Sequence, residues 1–278
     1  MIFYPTSAAT NSGSSDIKHS NNNPTITQNL AIGTIWVNDN TGEVFVCTDN
    51  TKDANIWEGV KPNLKISPTT TDIVDFFEDG SGVALFQFDN SPDDTGGIYN
   101  GVEQGDVEYT KGKFNQALLL NGSNACIDLS SQMTGAYYSF SFWADWGNRS
   151  NRWERIFDFG EVQGSSWQCL ICRHSYTSQL CYRNGAYNIY SDNNYIINGE
   201  LHHYAIVQDG GTVKFYRDGD LFSTTSTSET PQQHSRSHCY IGKSNWISDE
   251  MYKGRIDQLR VFNRALMDDE IKQLYKEQ

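Results

Sequence analysis

From about residue 72 onward the chain is a succession of short runs in which apolar and polar residues alternate or cluster: VALFQFD (83–89), QALLLNG (116–122), YYSFSFWADW (137–146), RIFDFG (155–160), WQCLICR (167–173), QLCYR (179–183), LHHYAIVQD (201–209), TVKFYRDG (212–219), CYIG (239–242) and GRIDQLRVF (254–262). Runs of this length, separated by clusters such as NGS, NGE and RDGD, predict β-strands joined by turns, the pattern of a β-sandwich. DGG at 209–211 is short enough to close a hairpin. Only the end of the chain reads as helix, with Ile271, Leu274 and Tyr275 on one stripe and acids at 268–270 near the positive end of its dipole.

The front of the chain is different. Residues 1–30 are rich in Ser, Thr, Asn and Ala without either periodicity, which predicts an extended polar arm. Residues 31–60 hold two alternating runs, GTIWV and EVFVC, joined by NDNTG, which predicts a small hairpin module. Ile35, Trp36, Val44, Phe45 and Trp57 are its candidate attachment residues, with Trp57 expected to close the face made by Ile35, Val37, Val44 and Val46. A hairpin of that size is marginal alone, so it is expected to lean on the larger domain or on another protein. VKPNLKISPTTT, with two prolines, marks 61–71 as linker and leaves 72–278 as the large domain.

Composition sharpens this picture. Aromatic residues make up 13% of the 278, including 7 Trp, 15 Tyr and 14 Phe, which suits pleated, half-buried surfaces. A formal charge of −13 with no basic run argues against nucleic acid as a partner. No stretch is apolar enough to insert in a membrane, and the N-terminus lacks the pattern of an export signal, so synthesis in a cytosol with the six cysteines reduced is expected. Cys169 and Cys172 form a C-x-x-C, which invites a zinc or redox reading, but on a strand positions three apart face opposite sides, and core cysteines are the favoured reading.

The stretch GRIDQLRVFNRALMDDEIKQLY (254–275) resembles the closing strand, N-R-A-L corner and short helix of laminin-G-like, concanavalin A-like jelly-roll domains. VALFQFDNSPDDTGG, YTKGKFNQALLLNGSNACIDL, SFSFWA and LHHYAIVQDGGTVKFYRDGD are similar to earlier segments of the same family. The resemblance implies an all-β, concanavalin A-like (laminin-G-like) jelly-roll sandwich with a short C-terminal helix, preceded here by the arm and hairpin module. Met267 stands where the family often has a Ser cap, a role expected to pass to Asp268. The hairpin module is similar to short modules of tailed-bacteriophage tail-fibre, head-fibre and decoration proteins. That likeness implies a virion surface protein, anchored to capsid or tail proteins through residues 1–60, as a homo-oligomer with a trimer favoured.

Three chemistries bear on function. Glycoside hydrolysis needs two carboxylates flanking a groove, and the family's E-x-D-x-x-E is absent; EQGDVE (103–108) has the wrong spacing, and a non-enzymatic protein is expected. His202 and His203 are adjacent, so one faces inward, and packing is favoured over catalysis. Structural calcium suits the hard oxygens of DNSPDDTGG, and the resemblance implies that an ion there can bridge to the last strand, giving Asp89, Asp94 and Asp257 as ligands; an ordinary solvated turn is the competing reading. Sugar binding would use rings on loops beside polar groups, giving Trp146, Arg149, Arg152 and Trp153 in one segment and Tyr187, Asn188 and Tyr190 in another. A host-surface glycan is the partner this implies, and rings buried in a core or at a protein interface are the alternative. A free carbohydrate-binding protein and a cryptic glycanase remain the other function classes.

Overall fold

A computed structural model describes residues 17–25, 27, 30–38, 44–52, 56–60, 74–129, 132–147, 152–160 and 168–277. The chain divides between residues 68 and 69 into two compact units. No helix is long and apolar enough to cross a membrane among the described residues.

The first unit is a four-stranded sheet in sequence order, β1 (Ile17–Ser20), β2 (Ile35–Asn38), β3 (Val44–Asp49) and β4 (Ile56–Val60). The hairpin β2–β3 pairs Ile35 with Val46, Trp36 with Phe45 and Val37 with Val44, so the two alternating runs lie in the register their apolar residues require. Two strands were not legible. β1 comes from the polar arm and runs parallel to β2, held partly by Trp36, whose indole N–H donates to the Asn22 carbonyl at 2.9 Å. β4 places Trp57 opposite Cys47 rather than opposite Val46; its side chain lies outside the described residues. Residues 1–16 and 61–71 also lie outside them.

The second unit has two large antiparallel sheets. One contains β18 (Asp220–Ser226), β17 (Thr212–Arg217), β16 (His202–Asp209), β11 (Ser139–Asp145), β21 (Lys253–Phe262), β8 (Gln116–Asn121) and β7 (Glu108–Lys111), with β5 (Gly82–Phe86) also on β21. The other runs β15 (Asn188–Tyr190), β14 (Leu180–Gly185), β13 (Gln168–Arg173), β12 (Arg155–Gly160), β20 (His238–Ile241), β9 (Cys126–Leu129) and β6 (Gly101–Gln104). A two-stranded ribbon pairs β10 (Met133–Gly135) with β19 (His234–Arg236). The expected DGG hairpin is β16–β17. EQGDVE is the β6–β7 turn with the strand ends on either side of it.

The inner faces of the sheets share one core, built from rings as the composition suggests. Phe140 of β11 meets Phe157 of β12 across the sheets at 5.0 Å, and Phe157 stacks on Phe159 at 4.3 Å. The Tyr182 hydroxyl, buried in this core, donates to Gln208 Oε1 at 2.9 Å, joining the two sheets. Cys169 lies in this inner core whereas Cys172 lies on the outer face of β13, so the C-x-x-C pair cannot share one ion.

Helix α1 (Asp268–Lys276) covers the outer face of the larger sheet. Ile271 and Leu274 pack there with Ala205, Val207, Tyr216 and Phe262. Beside them His203 is buried, its Nε2 2.8 Å from Ser141 Oγ, and burial pushes its pKa down to about 3, so it is a neutral packing residue. The expected cap is corrected: Met267 itself is the N-cap, and Glu270 reaches back to accept from its N–H at 2.7 Å. Asp268 instead accepts from the Tyr216 hydroxyl at 2.7 Å and Lys214 at 2.9 Å, fastening the helix to the sheet. Because Met267 already has the extended backbone of a cap, Met267→Ser should stabilise the domain by about 0.5–1 kcal/mol, read by chemical denaturation.

Candidate functional site

On the outer face of the smaller sheet, Leu170, Cys172 and Cys181 form a small apolar floor against which Trp153, Tyr190 and Trp246 pack. A register shift between Arg155 and Phe157 puts Ile156 and Phe157 both into the core. This bulge turns Arg155 and Asp158, three positions apart, onto the same outer face. Arg155 Nε then donates to Asp158 Oδ2 at 3.2 Å, Nη2 to Asp249 Oδ2 at 2.7 Å and Nη1 to the Trp153 carbonyl. With two carboxylates and a carbonyl around it, the buried guanidinium is charged and immobile, and it fixes the loops that carry Trp153 and Asp249.

Around that anchor a cavity of about 180 Å³ is lined by Trp153, Arg155, Leu170, Cys172, Cys181, Arg183, Asn188, Trp246 and Asp249. Trp246 lies beneath both guanidinium groups, 5.5 Å from Arg155 and 5.9 Å from Arg183. Burial pushes the pKa of Arg183 down from its ordinary value, and its Nε donates to the Gly185 carbonyl at 2.9 Å. On the far side of Trp246 lies a wider depression of about 590 Å³, which shares Trp246 and Asp249 and adds His238, Tyr240, Lys243 and Asn245. Asn245 is held by Asp158 Oδ1 at 2.9 Å, so one buried carboxylate organises both chambers.

The structure brings together part of the predicted sugar site. Trp153 adopts a left-handed backbone, φ 58°, a conformation that costs a bulky residue on the order of 1 kcal/mol or more, and its ring packs on His174 at 5.2 Å. Tyr190 lies on the other side of His174 at 4.2 Å, and Asn188 donates to the Tyr190 hydroxyl at 3.2 Å. The two segments therefore do converge. Trp146 is a correction: it is fully buried among Tyr204, Tyr252 and Arg173, so it presents no face to a ligand. Arg152 serves the loop after β20, its backbone N–H donating to Glu250 Oε2 at 2.7 Å, and Tyr187 is an exposed ring over a neighbouring depression with Thr225. Arg149 lies outside the described residues. Arg155, Arg183, Trp246 and Asp249 were missed, since their strands and loop meet only in three dimensions.

The calcium candidates are placed less simply. Asp94 is buried and spends its oxygens on its own loop, accepting from Leu85, Ile98 and Tyr99 N–H groups. Asp89 and Asp257 instead bracket residues 113–116: Asp89 accepts from Gln116 N–H at 2.9 Å and Asn115 Nδ2 at 3.0 Å, and Asp257 accepts from Lys113 N–H at 2.7 Å and Phe114 N–H at 3.2 Å. Asp257 Oδ1 and Gln116 Oε1 are buried without a partner. No cluster of three or more His, Cys, Asp or Glu side chains suited to a metal occurs among the described residues. Asp89, Asp257 and the Gln116 carbonyl oxygen are hard donors of the type calcium takes, while Asp94 belongs to loop closure.

Burial, reinforced by the charge of Asp89, pushes Asp257 up to about 7. A carboxyl whose pKa is raised on folding holds its proton better in the folded state, so its contribution to stability is lost as pH rises from about 4 to 7. In chelator, melting temperature should fall over that range and Asp257→Asn should flatten the slope. At pH 8 calcium should stabilise the parent protein and leave Asp257→Asn unchanged; identical behaviour of the two proteins would remove Asp257 from the account.

Comparison with known proteins agrees with the architecture. Residues 120–272 match the family model described as the concanavalin A-like lectin/glucanases superfamily. No curated protein matches the chain. Among solved structures, domain 4 of AbnA, a GH43 extracellular arabinanase from Geobacillus stearothermophilus solved with arabinotriose, is 22% identical, with a TM-score of 0.57 over 69% of this chain and 97% of that one. The receptor-binding domain of a botulinum neurotoxin C/D mosaic serotype is 17% identical, with a TM-score of 0.54 over 70% of this chain and 50% of that one. The binding domain of Paraclostridial Mosquitocidal Protein 1 is 18% identical, with a TM-score of 0.52 over 69% of this chain and 51% of that one. The chain thus spans about half the length of each toxin domain. With the jelly roll and the family match in agreement, the chain belongs to the concanavalin A-like lectin/glucanase superfamily.

Proposed function

We propose that the jelly-roll domain is a non-catalytic carbohydrate-binding module and that its ligand lies across the groove divided by Trp246. The observation that carries this reading is the meeting of Trp153 and Trp246 with Arg155, Arg183, Asn188 and Asp249 around one cavity. Ring faces pack on the C–H faces of a sugar, while fixed donors and acceptors at their edges select its hydroxyls. Two chambers either side of Trp246 suit a chain of two or more units better than a single sugar. The neighbouring arabinanase domain was solved with arabinotriose, and botulinum neurotoxin type C, whose solved structure is also similar, depends on two ganglioside molecules for cell entry. Both groove carboxylates, Asp158 and Asp249, are bonded to Arg155, so neither is placed as the free acid that glycoside hydrolysis needs.

The setting we infer is the surface of a tailed-bacteriophage particle. Residues 1–60 would anchor the chain to a capsid or tail protein, in a homo-oligomer with a trimer favoured, and many copies would hold the particle on a host glycan through individually weak contacts. The likeness of residues 33–57 to fibre and decoration modules supports this setting, and the separate compaction of the front of the chain is in keeping with it. Calcium at Asp89 and Asp257 would tie the first loop of the jelly roll to its last strand.

On a glycan array the full chain should bind a defined set of oligosaccharides, and Trp246→Ala and Trp153→Ala should each weaken that binding about tenfold or more with the fold retained. An empty array, or binding indifferent to both substitutions, would defeat the groove assignment. Removing residues 1–60 should leave sugar affinity unchanged and abolish incorporation into particles, and incorporation of the shortened chain would defeat the anchoring role.

A further inference from the structure

The strands that floor the groove also bring two thiols together. Cys172 on β13 stands directly opposite Cys181 on β14, and both project to the outer face with Leu170. Directly opposed residues of an antiparallel pair have Cα atoms about 4.5–5.5 Å apart, inside the range of about 4.4–6.8 Å that a disulfide spans, so bonding requires no backbone rearrangement. Each of the two thiols is only 1% exposed, yet both line the open cavity, so a small oxidant can reach sulfur where a bulky one is stopped.

We propose that Cys172 and Cys181 form a dithiol oxidation site that closes to a cross-strand disulfide beneath the groove when the protein meets a peroxide. Cys172 is the attacking sulfur. Burial opposes its ionisation, but the neighbouring Cys181 thiol and the charge of Arg155 favour it, and its pKa lies below that of an ordinary thiol. The Cys172 thiolate attacks one peroxide oxygen, the O–O bond breaks, and hydroxide leaves to take up a proton as water. The Cys181 sulfur then attacks the resulting sulfenic sulfur, the S–S bond forms, and a second water leaves with the Cys181 proton. Two thiols are oxidised by two electrons and one peroxide is reduced to two waters.

Among the described cysteines, Cys172 and Cys181 are the pair that stands directly opposed across neighbouring strands. Cys169 and Cys239 stand opposite Phe159 from its two sides, two strand spacings or about 9–10 Å apart, and burial pushes each up to about 12. Cys126 is three positions along β9 from Leu129, the residue paired with Cys239. Cys47 belongs to the first unit.

The test exposes the full chain to a small excess of hydrogen peroxide, then denatures it, alkylates free thiols and maps peptides without reduction. Two of the six cysteines should escape alkylation and the Cys172 and Cys181 peptides should appear linked. Cys181→Ser should form no link, and Cys172 should be trapped as a sulfenic acid by a dimedone probe. Six alkylated cysteines after peroxide, a link between other cysteines, or an unchanged loss of two thiols in Cys181→Ser would each overturn the proposal.

Discussion

The sharing of one aromatic core by two sheets is the constraint on which the rest of the large domain depends. Both inner faces are consumed by it, through contacts such as Phe140 with Phe157, and the cysteine and tyrosine side chains that enter it are packed or bonded across the sheets. Each sheet therefore has one outer face left to dispose of. On the larger sheet that face is closed by α1, fastened by Asp268 to Tyr216 and Lys214. On the smaller sheet it is covered by the rings of Trp153, Tyr190 and Trp246, which leave the groove between them, so the difference between a helix and a set of loop rings sets where a ligand can lie.

Within the groove, Arg155 does for the site what the core does for the fold. A single bulge aims it outward, and its bonds to Asp158, Asp249 and the Trp153 carbonyl tie the strand to two separate loops. The aromatic walls are thereby fixed before any ligand arrives, which reduces the ordering cost of binding. The same arrangement neutralises the carboxylates and favours recognition over hydrolysis.

Much of the fold was legible in the residues themselves. Strands such as RIFDFG and WQCLICR carry alternation dense enough to survive as β12 and β13, and the final helix announced itself by Ile271 and Leu274 beneath an acidic first turn. The polar strands β6, β7 and β18 escaped because their residues are largely exposed and lack an apolar face to read. Of the site, Trp153, Asn188 and Tyr190 were legible as rings and amides on loops. Trp146 looked the same in sequence and proved to be core, since composition does not say which side of a sheet a ring faces. Arg155, Arg183 and Trp246 could not be joined without the strand order β14, β13, β12, β20, and the opposition of Cys172 and Cys181 needed the register itself.

The most direct measurement is hydrogen–deuterium exchange of the full chain with and without a saturating oligosaccharide. Slowed exchange confined to residues 152–158, 181–190 and 243–251 is the result the account predicts. Protection centred instead on α1 or on the loops of the larger sheet, with those segments unchanged, would contradict it.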